Sequence, residues 1–522
     1  MIEELLESMT PGQAILWSLG IFTVVLMLRR IQTQIQISRL GARAPKISFR
    51  LPYALDFIYK GQIASLAHKD LDFWGGYHIT AEVDAGVSTR AIMTLDPENI
   101  KALLTGQFAD FGKGEPFHKD WKEFLGDSIF VTDGEMWSRS RQLIRPMFVR
   151  DRIVDTEIFE KHVQKLISLL GGSQSPSGSK VVDVGPLFFR YTLDAATDYL
   201  LGQGTDSLEN PATRFAEAFR YVQQRQAELF RFGVFNFAMS RKEFRRNLKI
   251  MDRFIQPYIE TVLSLSADEL DHKLSKRETF LDALARFTRD PQVLRDQLVA
   301  VLLAGRDTTA GTLSFCLFEL SRNPEVVAKL REEIRERLRH LKEMKYLNAV
   351  INETMRFYPV VPFNVRYSLR DTTLPRGGGP DGREPVGVRA NSRVIYSTML
   401  MQRDPDLYDG PESKNYYDPG KWIPDRWVSG WSPKPWQFIP FNGGPRICIG
   451  QQFATIEMGY TIIRILQTYE RIVALPVSGK DRVEDPVLRF EVTLSPGSEM
   501  NCVFLKEGED FTRLGSKIKV AA

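Results

Sequence analysis

The chain has 522 residues, 43% hydrophobic and 26% charged, usage that belongs to a folded protein and excludes a disordered or fibrous one. Its 69 basic and 65 acidic residues leave a net charge of +4, too small an excess to make nucleic acid the main partner. Cys316, Cys448 and Cys502 are the only cysteines and show no CxxC spacing, which excludes a disulfide framework and a structural zinc site and fits a reducing compartment.

Gly12 to Leu28 (GQAILWSLGIFTVVLML) is uncharged and apolar on every face, at the short end of what spans a bilayer. Glu3, Glu4 and Glu7 precede it and Arg29 and Arg30 follow at once, so the positive-inside bias places the body of the protein in the cytosol. A cleaved signal peptide carries the opposite flanks. Residues 1–30 are therefore expected to be a membrane anchor, 31–50 a linker and 51–522 one domain. The slightly negative mean hydropathy leaves no second membrane segment.

In chain order, Gly75 to Val83 and Ser88 to Thr94 read as strands, and Ser- and Gly-rich Gly171 to Lys180 as a surface loop between helical flanks. Three-to-four apolar spacing then predicts helices over Arg214–Phe230, Lys242–Leu265, Pro291–Arg322, Glu325–Leu338, Met344–Phe357 and Gln451–Tyr469. Arg393–Ser397 and the pair Leu488–Leu494 and Asn501–Leu505 read as strands, which gives a mainly α protein with small β-sheets. Gly377 to Gly382 (GGGPDG) lacks a following Lys-Ser/Thr and reads as a hairpin or surface turn rather than a phosphate cradle.

The Pro291–Arg322 helix is too apolar for a surface helix, yet Arg306-Asp307-Thr308-Thr309 interrupts its centre. Polar side chains in a buried helix need partners or a task. Cys448 lies in Phe441-Asn-Gly-Gly-Pro-Arg-Ile-Cys-Ile-Gly450, directly before a helical pattern. The helix dipole and free N–H groups there favour a thiolate, and Gly443, Gly444 and Gly450 admit a flat cofactor close to the backbone. An axial thiolate on haem iron promotes O–O cleavage. Cys316, on the apolar central helix, reads as packing.

Phe-x-x-Gly-x-Arg-x-Cys-x-Gly from Phe441 to Gly450 resembles the haem-binding signature of the cytochrome P450 family. The resemblance implies that family's fold, a single haem domain around a long central helix behind the transmembrane anchor, with haem b ligated by Cys448 in a loop that includes Phe441 and Gly443. It implies that Trp137, Arg141, Arg446 and Arg366 contact haem propionates, and that Glu353, Arg356 and Arg426 form a structural network behind the cysteine loop. Ala304-Gly305-Arg306-Asp307-Thr308-Thr309 is similar to the family's oxygen-activation motif, with Asp307 and Thr308 relaying protons. Electrons are expected from NADPH through a separate cytochrome P450 reductase, with cytochrome b5 as a further donor. Lys414, Lys421, Lys434 and Arg446 offer a basic docking face. The implied location is the endoplasmic reticulum membrane.

Ala304–Ala310 (AGRDTTA), Asp371–Gly382 (DTTLPRGGGPDG) and Phe441–Ala454 (FNGGPRICIGQQFA) resemble the membrane-bound fungal hydroxylases of alkanes and fatty acids. The expected reaction is insertion of one oxygen atom of O2 into a C–H bond of such a hydrophobic substrate, in a pocket that Phe117, Phe235, Phe237, Val361, Phe363 and Leu494 would line. The alternatives are oxidative tailoring of a polyketide, peptide or terpenoid, a haem-thiolate isomerase or dehydratase, and a non-catalytic membrane binding protein. Two departures from the family pattern are a Pro-rich hinge reduced to Ala44-Pro45, and Asp425 and Trp427 in place of the commoner Glu and Phe. The network around Arg426 is expected to persist.

Overall fold

In the computed structural model, α1 (Pro11–Leu40) opens on a capping box, in which the Thr10 hydroxyl accepts from the Gln13 N–H and the Gln13 side chain accepts from the Thr10 N–H. Ile15, Leu16, Trp17, Ile21, Phe22 and Leu28 all stand exposed on it, so its apolar surface has no protein to bury against. Among the described residues it is the one helix long and apolar enough to cross a membrane. The structure describes residues 10–51, 54–75, 79–84, 90–148, 157–171, 181–276, 279–337, 343–410, 412–413, 416–477 and 479–509. Most of the Gly171–Lys180 loop, Lys414 and the Phe235 side chain lie outside them.

The described chain falls into two compact units. The smaller is built from residues 1–61, 74–112 and 365–396. Its strands are β1 (Thr80–Asp84), β2 (Arg90–Thr94), β3 (Phe111–Gly112), β4 (Phe363–Ser368), β5 (Thr372–Gly378), β6 (Glu384–Val388) and β7 (Arg393–Ser397). Five form a sheet in the order β1-β2-β7-β4-β3, with β1 antiparallel and β7 parallel to β2, while β5 and β6 form a hairpin. GGGPDG is the turn of that hairpin: Gly377, Gly379 and Gly382 have φ of 106°, 74° and 67°, which a side chain would resist.

Helix α1 continues ten residues past Arg30, and the segment after it is pinned to this unit. Gly41 runs so close to β6 that a Cβ would stand 2.7 Å from the Pro385 carbonyl oxygen. Ala42 N–H donates to Pro385 O at 2.9 Å, and Glu82 N–H to Pro45 O at 2.9 Å. Arg43 pairs with Glu82 and Asp84 at 2.5 and 2.6 Å. Few residues after the anchor suffice because backbone pairing, rather than a proline stack, fixes the direction of the chain.

The larger unit, residues 62–73, 113–364 and 397–522, holds α2 (Gly114–Leu125), α3 (Gly134–Ile144), α4 (Glu157–Leu170), α5 (Val184–Leu201), α6 (Arg214–Phe232), α7 (Lys242–Ser264), α8 (Pro291–Arg322), α9 (Pro324–Arg337), α10 (Lys345–Phe357) and α11 (Gln451–Thr468). Asp290 caps α8 through the Gln292 and Val293 N–H groups, Pro291 occupies its first turn, and Asn323-Pro324 ends it, within the predicted bounds. Leu313, Phe315, Leu317 and Leu320 of α8 share one core with Val184, Phe188 and Tyr191 of α5, Val350 of α10 and Ile462 and Leu466 of α11. Burying each such large apolar side chain is worth roughly 1.5–3 kcal/mol, which makes α8 the axis of the unit.

Asn501–Leu505 pairs antiparallel with Val182–Asp183 and with Arg471–Ala474. Leu488–Leu494 differs from the expected single strand: Leu488–Phe490 and Leu494–Pro496 form a hairpin across Glu491-Val492-Thr493. The reversal is fixed by Glu491 N–H donating to Thr493 O at 3.1 Å and Leu494 N–H to Val360 O at 2.9 Å. The β-branched run conceals this turn from pattern reading. Gly75, expected in a strand, instead ends the short helix Asp70–Gly75, and β1 begins at Thr80.

Candidate active site

The cysteine loop is closed on itself and clamped from one side. Cys448 N–H donates to Phe441 O at 2.9 Å, and Arg141 of α3 donates to Ile447 O at 3.0 Å. Arg446 donates to Thr132 O at 2.8 Å and pairs with Asp133 at 2.5 Å. The Trp137 ring lies against both guanidiniums, with Arg446 at 4.7 Å and Arg141 at 5.9 Å from its centroid. Gly443 is required by packing, since a Cβ would stand 2.6 Å from the Trp436 ring, whereas Gly444 is required by its φ of 63°. At Gly450 the nearest protein atom to an added Cβ is 3.9 Å away, so no protein neighbour demands glycine there.

Cys448 carries accessible surface, yet burial raises its thiol pKa, opposed by the Gly450 N–H at the sulfur and by the Arg141 charge. A sulfur both accessible and desolvated borders an interior space rather than bulk water. The helix N-terminus, expected to favour the thiolate, is outweighed by desolvation in the protein alone. A cation at the sulfur would reverse that balance.

Between Asp296 and Ser321 of α8 the residual accessibility is confined to one stripe. Val301, Ala304, Gly305 and Thr308 are partly accessible, while Leu302, Leu303, Arg306, Asp307 and Thr309 are buried. Spacings of three and four put the four on one helix face. The Thr308 hydroxyl donates to Ala304 O at 2.7 Å. Asp307 turns away from it and accepts from Arg306 at 2.8 Å; burial raises its pKa against the pull of Arg306. Arg306 is itself held by Phe189 O, Gln223 and the rings of Phe189 and Phe219. Asp307 and Thr308 are thus neighbours in sequence but not hydrogen-bonded to each other here.

Behind the loop, Glu353 and Arg356 pair at 2.8 and 2.9 Å and Arg426 joins Glu353 at 3.1 Å, all three with 0% exposure. The guanidiniums also reach carbonyls: Arg356 those of Gln402, Pro419 and Lys421, and Arg426 those of Tyr417, Asp418 and Lys421. Trp427 strengthens the network, because its indole N–H donates to Glu353 at 2.9 Å, a bond that the commoner Phe could not make. Asp425 points outward to Lys329 at 2.7 Å.

The cytochrome P450 family model matches residues 85–497, the stretch that holds the loop-borne thiol, the accessible stripe on the central helix and the buried Glu-Arg-Arg network. The chain belongs to the cytochrome P450 family. This P450 is 45% identical over 498 residues to the cytochrome P450 monooxygenase pvhE of Talaromyces variabilis, covering 90% of this chain and 91% of the relative. It is 40% identical over 431 residues to cytochrome P450 52A1 of Candida tropicalis (77% and 76%), and 36% identical over 478 residues to cytochrome P450 52A12 of Debaryomyces hansenii (85% and 89%). It is therefore a haem-thiolate monooxygenase of the P450 fold, with a haem cofactor, a redox partner and a hydrophobic substrate.

The P450's residues fit haem: one soft donor faces an interior space, two arginines flank it, and small side chains line the central helix. Arg366, expected beside these arginines, lies on β4 in the smaller unit, 2% exposed, where it donates to the carbonyl of Val365 and faces the Tyr396 ring. Arg446 does not serve as a surface cation, since its side chain is 8% exposed and paired with Asp133. Among the described residues the basic face therefore reduces to exposed Lys421 and Lys434. Of the expected pocket residues, Leu494 is core and Phe117 stacks on Trp121 at 5.3 Å, whereas Phe237 is 81% exposed and points outward.

Sequence reading missed Asp133 and Glu457. Asp133 sits at the cap position of α3, but its carboxylate accepts from the Lys113 and Gly114 N–H groups at 2.8 and 2.7 Å as well as from Arg446, which ties α2 to the cysteine loop. An Asp before a helix is normally read as that helix's own cap, which hides such a role. Glu457 of α11 is buried against Thr309 of α8, and burial pushes its pKa up to about 8, so it stands mostly protonated at neutral pH.

Proposed function

We propose that this P450 hydroxylates a long-chain alkane or fatty acid at or near its terminal carbon. The reading places it in the endoplasmic reticulum membrane with α1 as a single-pass anchor and the larger unit in the cytosol. Electrons come from NADPH through a separate cytochrome P450 reductase, with cytochrome b5 as a second donor. The observation that carries the substrate reading is the α8 stripe, apolar but for one hydroxyl and built from small side chains that leave room for an unbranched chain without offering it charge. The resemblance of Ala304–Ala310 and Asp371–Gly382 to aliphatic hydroxylases supports it.

Bound haem supplies the redox centre at which dioxygen is activated. In this reading Cys448 is its sulfur ligand, and Phe441 and Gly443 shape the loop that presents it. Trp137, Arg141 and Arg446 bind the carboxylates of the cofactor's rim. A cation held at Cys448 would offset the desolvation that raises its thiol pKa. Oxygen activation consumes protons, and Asp307 and Thr308 deliver them. Burial favours the protonated form of the Asp307 carboxyl, and the Thr308 hydroxyl needs only to leave the Ala304 carbonyl to donate.

Asp307→Asn is expected to lower turnover by about 100-fold, within the range that positioned acids and bases contribute, and to enlarge the solvent isotope effect while sparing the haem spectrum. An unchanged rate would take Asp307 off the proton path. The substrate reading is tested by incubating the full chain with dodecanoic acid and hexadecane, NADPH and a P450 reductase. Terminally hydroxylated product is expected. Failure to oxygenate either compound rejects the aliphatic reading in favour of secondary-metabolite tailoring.

A further inference from the structure

The carboxylate of Asp307 is one half of a buried pair whose other half, Arg306, is fixed from two other helices. Neighbours in sequence point about 100° apart on a helix and do not ordinarily meet. Here they do: Arg306 Nη1 donates to Asp307 Oδ1 at 2.8 Å, and the two residues are 6% and 4% exposed. The same Nη1 donates to Gln223 Oε1 of α6 at 3.2 Å, and Nε donates to Phe189 O of α5 at 3.3 Å. The guanidinium carbon stands 5.1 Å from the Phe189 ring centroid and 5.5 Å from that of Phe219. Held from α5 and α6 in this way, the cation keeps its place whether or not the carboxylate stays on it.

Gln223 closes a triangle with the pair. Its Oε1 accepts from Arg306, while among the described residues its buried Nε2 meets no acceptor at hydrogen-bonding geometry, and the amide bears on the Asp307 carboxyl. Packing alone does not call for such a set, because apolar side chains of similar volume would fill the space between the helices without desolvating two charges. Glu491, at the hairpin turn, is the other acid that acts on Asp307, and its charge pushes in the same direction as burial, toward the protonated carboxyl.

We propose that Arg306 and Gln223 are positioning residues of the proton relay, which keep the ionised Asp307 carboxylate turned from Thr308 and set the pH at which it takes up the proton that it passes on. The proposal rests on the reading of Asp307 and Thr308 as the relay and adds the groups that govern it. A cation in contact lowers a carboxyl pKa by roughly 1–3, so Arg306 opposes the burial that favours the acid. Protonation discharges the pair. Arg306 then still has the Gln223 and Phe189 oxygens and two ring faces, so the neutral carboxyl can turn to Thr308 without leaving a bare charge in the interior. Once it has given up its proton, the carboxylate returns to Arg306.

Turnover that needs a protonated Asp307 falls as the pH rises through the pKa of that carboxyl. Two measurements on the full-length holoenzyme locate it: the pH profile of dodecanoic acid hydroxylation with saturating reductase, and the titration of the infrared band of a protonated carboxyl that Asp307→Asn removes. In Arg306→Gln both midpoints should move up by about one pH unit or more, because the cation that favoured the carboxylate is gone. Arg306→Lys keeps the charge and should bring both back to near the wild-type pH. Gln223→Glu should also move them up, since the new carboxylate competes for Arg306 and repels the Asp307 charge. That variant removes no cation and answers the question should Arg306→Gln fail to fold. Midpoints that stay in place in both Arg306→Gln and Gln223→Glu, or that Arg306→Lys fails to restore, would overturn the proposal and leave the triangle as a tie between helices. If the infrared midpoint moves and the rate profile does not, the triangle governs the carboxyl and the relay reading falls. If Asp307→Asn slows turnover while neither midpoint responds to Arg306 or Gln223, the relay stands and the positioning role falls.

Discussion

Cys448→Ser is expected to abolish the far-red Soret band that carbon monoxide gives with the reduced protein, and with it all oxygenated product. The hydroxyl that replaces the thiol is smaller, harder and far more weakly acidic, so it cannot provide an anionic sulfur to iron. The surrounding loop should survive, because its closure depends on main-chain and neighbouring groups: Cys448 N–H to Phe441 O, Arg141 to Ile447 O, and Arg446 to Thr132 O and Asp133. The variant should therefore stay folded, with a melting temperature close to that of wild type in the cofactor-free form. That pairing of outcomes separates ligation from packing. A red-shifted band and activity that persisted in Cys448→Ser would remove the sulfur from the chemistry altogether.

The parts of the site that were legible in the sequence are those whose chemistry is local. Cys448 could be placed at a helix start because the glycines and the helical run stand beside it, and α8 because Pro291 and Pro324 bracket one long apolar pattern. The hairpin at Glu491 was not legible, because what makes it turn is Val360, more than a hundred residues away. Asp133 was missed for the same reason: its partners Lys113, Gly114 and Arg446 come from distant segments, and its position imitates a cap. Spacing correctly placed Asp307 and Thr308 side by side on a helix but said nothing of where their side chains turn. Arg306 captures one and the Ala304 carbonyl the other. The continuation of α1 to Leu40 was passed over because the composition turns polar after Arg30, although Ile31 and Ile35, and Ile37 and Leu40, keep helical spacing, and it is β6 that receives the chain at Gly41.

Glu353→Ala should cost about 3–5 kcal/mol, a large share of the roughly 5–15 kcal/mol by which a domain is stable. The size follows from what remains behind. Arg356 and Arg426, both with 0% exposure, would keep their charges in the interior with only neutral oxygens accepting from them, and the Trp427 indole and Ile423 N–H would lose their acceptor. Glu353→Gln keeps an acceptor for some of these donors but removes the charge, so it should fall between wild type and Ala. Because the network holds the stretch from Gln402 to Trp427 that precedes the cysteine loop, the lost stability should appear as poor haem retention rather than slow chemistry. Urea unfolding and haem content measure the first, and turnover per bound haem the second. A Glu353→Ala protein with wild-type stability and full haem content would show that the buried pair is not what holds the loop. A variant that retained its haem yet turned over slowly would assign Glu353 a role in the reaction that its distance from any accessible surface argues against.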